Sequence, residues 1–183
     1  MDSFWGNIFQ RRRRKEDPII TCLKRIPIFE SLTHRELEAI ERIIHQRVYK
    51  PGEIIFHQGD AGVGMYIIEK GIVQIIYEPT NQLLAELSDG EFFGELALLD
   101  ESPRSATAIA KTECKMLGFF QSDLFGLLQR DPRLGVKIVI ELARIIGERL
   151  KHSNEQISHL REEVKQLKAR LGESNEQAGS TVA

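Results

Sequence analysis

Little in this sequence supports metal or catalytic chemistry. It has two cysteines, Cys22 and Cys114, at no paired spacing, and five scattered histidines. The lack of a Cys-x-x-Cys pair or a Cys/His cluster excludes a structural zinc knuckle. With no signal peptide, two unpaired cysteines point to a reducing, cytoplasmic environment. No serine elbow, no Walker lysine and no paired acids across a cleft are found, so no catalytic residues and no metal ligands are assigned and a non-enzyme is expected. A cupin-type metal barrel would need a His-x-His set with a Glu. His57 stands alone and is read as a strand-surface histidine. No apolar run approaches the ~20 residues that a bilayer-crossing helix needs. The net charge of −2 gives no overall pull toward nucleic acid.

What is present is a soluble composition, 42% hydrophobic and 28% charged over 183 residues, enough for one domain with a sizeable core plus appendages. The charge is unevenly spread. Residues 1–16 carry a net +3, from Arg11 to Arg14 and Lys15 against Asp2 and Glu16, and the remainder carries −5. In the same segment Phe4, Trp5, Ile8 and Phe9 make residues 1–15 a candidate peripheral membrane contact, with docking on a partner or a solvated basic end as the rivals.

The apolar periodicity changes along the chain. Asp17 to Gln46 reads as helical, broken at Pro27 and restarted by Thr33-His34-Arg35-Glu36, a capping box, with Leu37, Ile40, Ile43 and Ile44 following at helical spacing. From about Arg47 to Phe120, short β-branched and aromatic runs alternate with Pro51-Gly52, Gly59-Asp60, Lys70-Gly71, Pro79-Thr80-Asn81 and Asp89-Gly90. Many short strands at this spacing argue for a sandwich or barrel. The chain then turns helical again around Leu124 to Leu128. Asp131-Pro132 opens a long helix expected to run to about Leu171, with a disordered polar tail over 172–183.

One segment carries chemistry: Phe92-Phe93-Gly94-Glu95-Leu96-Ala97-Leu98-Leu99, followed by Pro103-Arg104-Ser105-Ala106-Thr107. It falls between two expected strands, where an Arg and a Glu inside a barrel need a ligand or each other. The segment resembles the phosphate-binding cassette of the cyclic nucleotide-binding family, the fold of catabolite activators and protein kinase A regulatory subunits, and matches it at every fixed position. Tyr66-Ile67-Ile68-Glu69-Lys70-Gly71 extends the resemblance, which covers about residues 18–150.

The resemblance implies an α+β fold: an antiparallel β-roll or jelly-roll barrel flanked by N-terminal helices, then a hinge helix and a long lid helix, which the apolar spacing continues into a coiled coil. It implies cAMP or cGMP as ligand, with no cofactor and with a cyclic dinucleotide ranked lower. The implied site is Phe93, Gly94, Glu95, Leu96, Ala97, Arg104, Ser105 and Ala106, with Ile75, Leu84 and Leu87 as an apolar wall. Arg104 would take the cyclic phosphate bidentately and Glu95 the ribose 2′-hydroxyl. Phe92 and Phe93 read as barrel core rather than as stacking surfaces, and Ser105 does not decide between the two nucleotides. The lid helix would cap the base around Ile145, Ile146, Glu148 and Arg149. The alternative is a degenerate member in which Arg104 and Glu95 form a structural ion pair and the barrel serves as a ligand-free interaction module.

The flanks divide the chain into a 1–16 segment, a 17–150 nucleotide-binding domain, a 151–171 coiled coil and the 172–183 tail. After Leu150 only 33 residues follow, too few for a winged helix, so direct DNA binding is not expected and the output is an unidentified partner protein or the dimer itself. The last helix reads as heptads, with a at Val136, Ala143, Leu150, Ile157, Val164 and Leu171, and d at Val139, Ile146, Ser153, Leu160 and Leu167. β-Branched residues at a with leucines at d favour a parallel two-stranded coil, and Glu163 at g complements Lys168 at the partner's e position.

Overall fold

A computed structural model describes residues 17–180, with side chains through Lys168. The aromatic and basic segment expected to touch a membrane lies outside the described residues, as does the side chain of Leu171. The chain divides into two compact units, one reaching Glu141 and one starting at Leu142.

The first unit opens with α1 (Pro18–Leu23), a 3-10 turn (Pro27–Phe29) and α2 (His34–Glu41). Asp17 caps α1 through its side chain, and Pro18 takes the first helical turn, where a missing N–H costs nothing. The capping box forms as read: the Thr33 N–H donates to Glu36 Oε2 at 2.8 Å and the Glu36 N–H donates to Thr33 Oγ1 at 3.4 Å. The helix ends at Glu41, however, and a strand begins at His45, so Ile43 and Ile44 belong to the connection and not to the helix. Two β-branched residues at that point favour extended chain, which pairs at once with a later strand.

Eight strands follow: β1 (His45–Tyr49), β2 (Ile54–Phe56), β3 (Gly64–Lys70), β4 (Val73–Tyr77), β5 (Gln82–Leu87), β6 (Phe92–Phe93), β7 (Thr107–Ala110) and β8 (Cys114–Phe120). They form two antiparallel four-stranded sheets, in the orders β1-β8-β3-β6 and β2-β7-β4-β5, a jelly-roll arrangement. Strands β3 and β8 are apolar on both faces, because successive side chains point to opposite sides of a sheet. Tyr66, Ile68, Cys114 and Met116 enter the barrel core with Val73, Phe93, Ala108 and Ala110. Met65, Ile67, Leu117 and Phe119 alternate with them and are fully buried too. On that opposite face Phe119 meets the Phe29 ring edge-on at 5.9 Å. The early helices thus close one sheet, and the other sheet faces the core from across the barrel.

After β8 come α3 (Gln121–Arg130) and α4 (Pro132–Ser180). The first two turns of α4 add Leu134 and Ile138 to the buried residues of the first unit. The helix runs past Gly172, where a disordered tail was expected to begin, and is described to Ser180. A glycine in a helix costs only about 1 kcal/mol, and Glu173, Glu176, Gln177 and Ala178 after it are good helix formers. No helix among the described residues is long and apolar enough to cross a membrane.

Candidate phosphate-binding site

The cassette is the crossing between the two sheets. β6, the two-residue strand Phe92–Phe93, pairs with Ile67 and Tyr66 of β3, which fixes where the chain leaves the first sheet. Gly94 then turns it with φ of 75°, and a 3-10 turn over Glu95–Leu98 follows. A side chain at Gly94 would place its Cβ 2.5 Å from Arg104 Nη1, so the position requires glycine for its conformation and for its neighbour. The connection returns at Pro103, which bridges to Ala61. The Arg104 N–H donates to the Asp60 carbonyl at 2.8 Å and the Gly59 N–H to the Arg104 carbonyl at 2.9 Å. The arginine backbone is therefore clamped by the turn between β2 and β3 just before β7 begins.

Arg104 is buried, at 7% exposure, as is Glu95 at 6%. Nη2 donates to the Gly64 carbonyl at 2.7 Å and Nη1 to the Gly94 carbonyl at 3.2 Å. The guanidinium carbon lies 4.1 Å above the Phe56 ring centre, a cation–π contact. Arg104 Nε, buried, has no hydrogen-bond partner among the described residues. A guanidinium has five N–H donors. Two carbonyls and an aromatic face orient this one. Burial pulls Arg104 below its ordinary value, while charge interactions with Tyr66, Asp60 and Glu95 push it back up. A buried cation with a donor left unpaired can take an anion, because a buried N–H without a partner is costly.

The remaining expected residues are placed as follows. Ala97 and Ala106 are buried and Ser105 is exposed next to Arg104, while Leu96 on the turn is 55% exposed. Phe93 belongs to the barrel core, stacked on Tyr66 at 5.8 Å and 5.8 Å from Phe56. Ile75 and Leu87 are half-buried and pack against that core. Leu84 does not join them: it is 52% exposed. The β4–β5 pairing shifts register between Ile75 and Ile76, and Ala85 stands opposite Ile75. A one-residue bulge transfers the facing position from one residue to the next, which alternation in the sequence cannot reveal. Arg149 lies exposed on α4 in the second unit. Among the described residues no group of three His, Cys, Asp or Glu side chains could hold a metal ion.

Three contributors escaped the sequence reading: Phe56 under the guanidinium, the Gly64 carbonyl and the Tyr66 ring. The available signal was Gly62-x-Gly64 directly before an apolar strand, which marks close backbone approach. A Cβ at Gly64 would sit 2.5 Å from the Phe119 carbonyl oxygen, so β3 can lie against β8 there only with glycine.

Comparison with known proteins agrees with this geometry. Residues 46–131 match the cyclic nucleotide-binding domain family, a span that runs from β1 through the cassette to the end of α3. These residues form a cyclic nucleotide-binding domain. The chain is 34% identical over 129 residues to the cyclic AMP receptor protein of Thermus thermophilus, covering 69% of this chain and 60% of that one. It is 36% identical over 140 residues to a cAMP-dependent protein kinase regulatory subunit of Hypocrea atroviridis, covering 73% of this chain and 29% of that one. The chain thus spans less than two thirds of the length of these relatives. Among solved structures, the N-terminal domain of a transcriptional regulator from Streptomyces coelicolor superposes with a TM-score of 0.65 at 29% identity, covering 74% of this chain and 94% of that one. The Thermus thermophilus catabolite activator protein gives 0.65 at 33% identity, covering 73% and 62%.

Proposed function

We propose that this protein is a regulatory sensor that binds a cyclic nucleotide, preferentially cAMP, in the β6–β7 cassette. The observation that carries this reading is Arg104: buried, fixed by two carbonyls and a ring, and with its Nε unpaired. A cyclic phosphate is a monoanion with two free oxygens, which a guanidinium meets bidentately. Buried Glu95, on the turn that Gly94 opens, supplies acceptor oxygens suited to a ribose hydroxyl. Ser105 adds a hydroxyl beside the arginine, and Ile75 with Leu87 supplies apolar surface. The preference for cAMP rests on the matched relatives, a cyclic AMP receptor and a cAMP-dependent kinase regulatory subunit.

The same reading includes a parallel homodimer as the output. On α4 the side chains of Leu150, Ile157, Leu160, Val164 and Leu167 repeat at heptad spacing and stand 46–61% exposed. A single helix leaves that stripe in water, whereas a second copy in register covers it.

The test is binding by point variants. Arg104→Ala removes the counter-charge of a buried anion, a loss of about 3–5 kcal/mol, so affinity falls more than ~100-fold. Glu95→Ala costs less and reduces discrimination against 2′-deoxy-cAMP. Equal affinity of wild type and Arg104→Ala for cAMP would place the ligand elsewhere.

A further inference from the structure

Resting on that reading, we infer that Glu78, on the connection between β4 and β5, is a positioning residue for the phosphate-binding arginine. Glu78 is 26 residues from Arg104 in sequence and opens a short 3-10 turn, Glu78–Thr80. Its Oε1 accepts a hydrogen bond from the Thr107 hydroxyl, and His57 Nδ1 lies 3.1 Å from the same oxygen. Its main-chain N–H donates to the Gln58 side-chain oxygen at 3.0 Å. The Gln58 N–H in turn donates to Thr107 Oγ1 at 2.7 Å. Thr107 is 3% exposed, so its hydroxyl needs these partners.

These bonds close a circuit around one short segment. His57 and Gln58 are held to Glu78 and Thr107 on one side. The next two residues, Gly59 and Asp60, make the two main-chain hydrogen bonds that clamp Arg104. The His57 N–H also donates to Asp60 Oδ2 at 2.7 Å, which stiffens the turn internally. Glu78 is thus the common acceptor for a turn and a strand that both end on Arg104: the turn through its backbone, the strand through residues 105–107. The Thr107 and His57 hydrogen bonds hold the Glu78 carboxyl below the usual carboxylate range, in keeping with an ionised acceptor. With the Glu78 carboxylate removed, the turn loses its His57 contact and Thr107 loses its acceptor, so Gln58 alone holds the turn to the strand and the guanidinium is less well fixed relative to Glu95.

The test uses the full chain without ligand and then with cAMP. Amide hydrogen exchange is read by NMR at Gly59 and Arg104, with Leu117 in β8 as the internal reference. In Glu78→Ala and in Thr107→Val, exchange at Gly59 and Arg104 rises about tenfold or more while Leu117 is unchanged, since a local opening is freed without global unfolding. Affinity for cAMP falls about 3- to 10-fold in each variant, as expected for a lost hydrogen-bond anchor. The double variant is no worse than the single ones, because both act through one circuit. Thr107→Ser, which keeps the hydroxyl, restores protection and affinity. Unchanged exchange at Gly59 and Arg104 in Glu78→Ala overturns the inference, and so does an equal rise at Leu117, which signals a merely structural role. Wild type that binds neither cAMP nor cGMP defeats the nucleotide reading, and the ligand-free exchange pattern still decides the role of Glu78.

Discussion

Gly94 and Arg104 define each other. The glycine sits at φ of 75°, and the guanidinium occupies the space a methyl group there would need. Gly94→Ala therefore loses about 1–2 kcal/mol from the left-handed backbone alone, and displacement of Arg104 adds to this. The expected result is a lower denaturant midpoint together with weaker cAMP binding, measured on the same preparation. An alanine variant with wild-type stability and affinity would show that neither the conformation nor the close approach matters. Arg104, Glu95 and Gly94 were legible because they lie in one contiguous motif whose charges have no place in a barrel core. Phe56 and Gly64 were not, since they reach the arginine through the fold and not through the sequence. Leu84 stands half exposed beside a register shift that only the pairing with β4 reveals, with Ala85 opposite Ile75.

At the scale of elements, α2 is tied to the start of α4 by one ion pair, with Lys137 Nζ 2.7 Å from Glu36 Oε1. That carboxyl already serves the capping box. The Lys137 hydrogen bond first, and then the Thr33 backbone, hold it at about 2, well below the usual carboxylate range. A carboxylate whose folded value is depressed stabilises the protein fully above its unfolded value near 4.5, and that contribution is lost as pH falls toward 2. Glu36→Gln is expected to cost about 1 kcal/mol at neutral pH, discounted for exposure and salt screening. Thermal melts from pH 7 down to pH 2 check it: the gap between wild type and variant should close across the acidic window. A gap that stays constant over that range would dissociate the ion pair from stability. The capping box, the break at Pro27 and most strands were legible from local signals. The two-residue β6 was not, because pairing with β3 defines it, nor was the helix end at Glu41, because β1 pairs with β8 some 70 residues later.

For the whole molecule, the exposed heptad stripe on α4 and the cassette make separate claims. The dimer claim predicts twice the monomer mass in light scattering at tens of micromolar, and monomer mass after truncation at Leu150 or in the double variant Ile157→Glu, Leu160→Glu. A charge at adjacent a and d positions cannot be buried in a two-stranded seam. Dimer mass in both variants would move the interface off this helix. The heptads were plain in the sequence, as was the change from helical to alternating period that marks the barrel; the end of the helix at Ser180 was not, because Gly172 and the polar residues after it carry no apolar period. Nucleotide binding at the cassette is measured by isothermal titration calorimetry of the full chain with cAMP and with cGMP. The expected result is one saturable site per chain for cAMP, weaker or absent heat with cGMP, and loss of the cAMP signal in Arg104→Ala. No binding of either nucleotide at millimolar concentration by folded wild-type protein would contradict it and leave Arg104 and Glu95 as a structural pair.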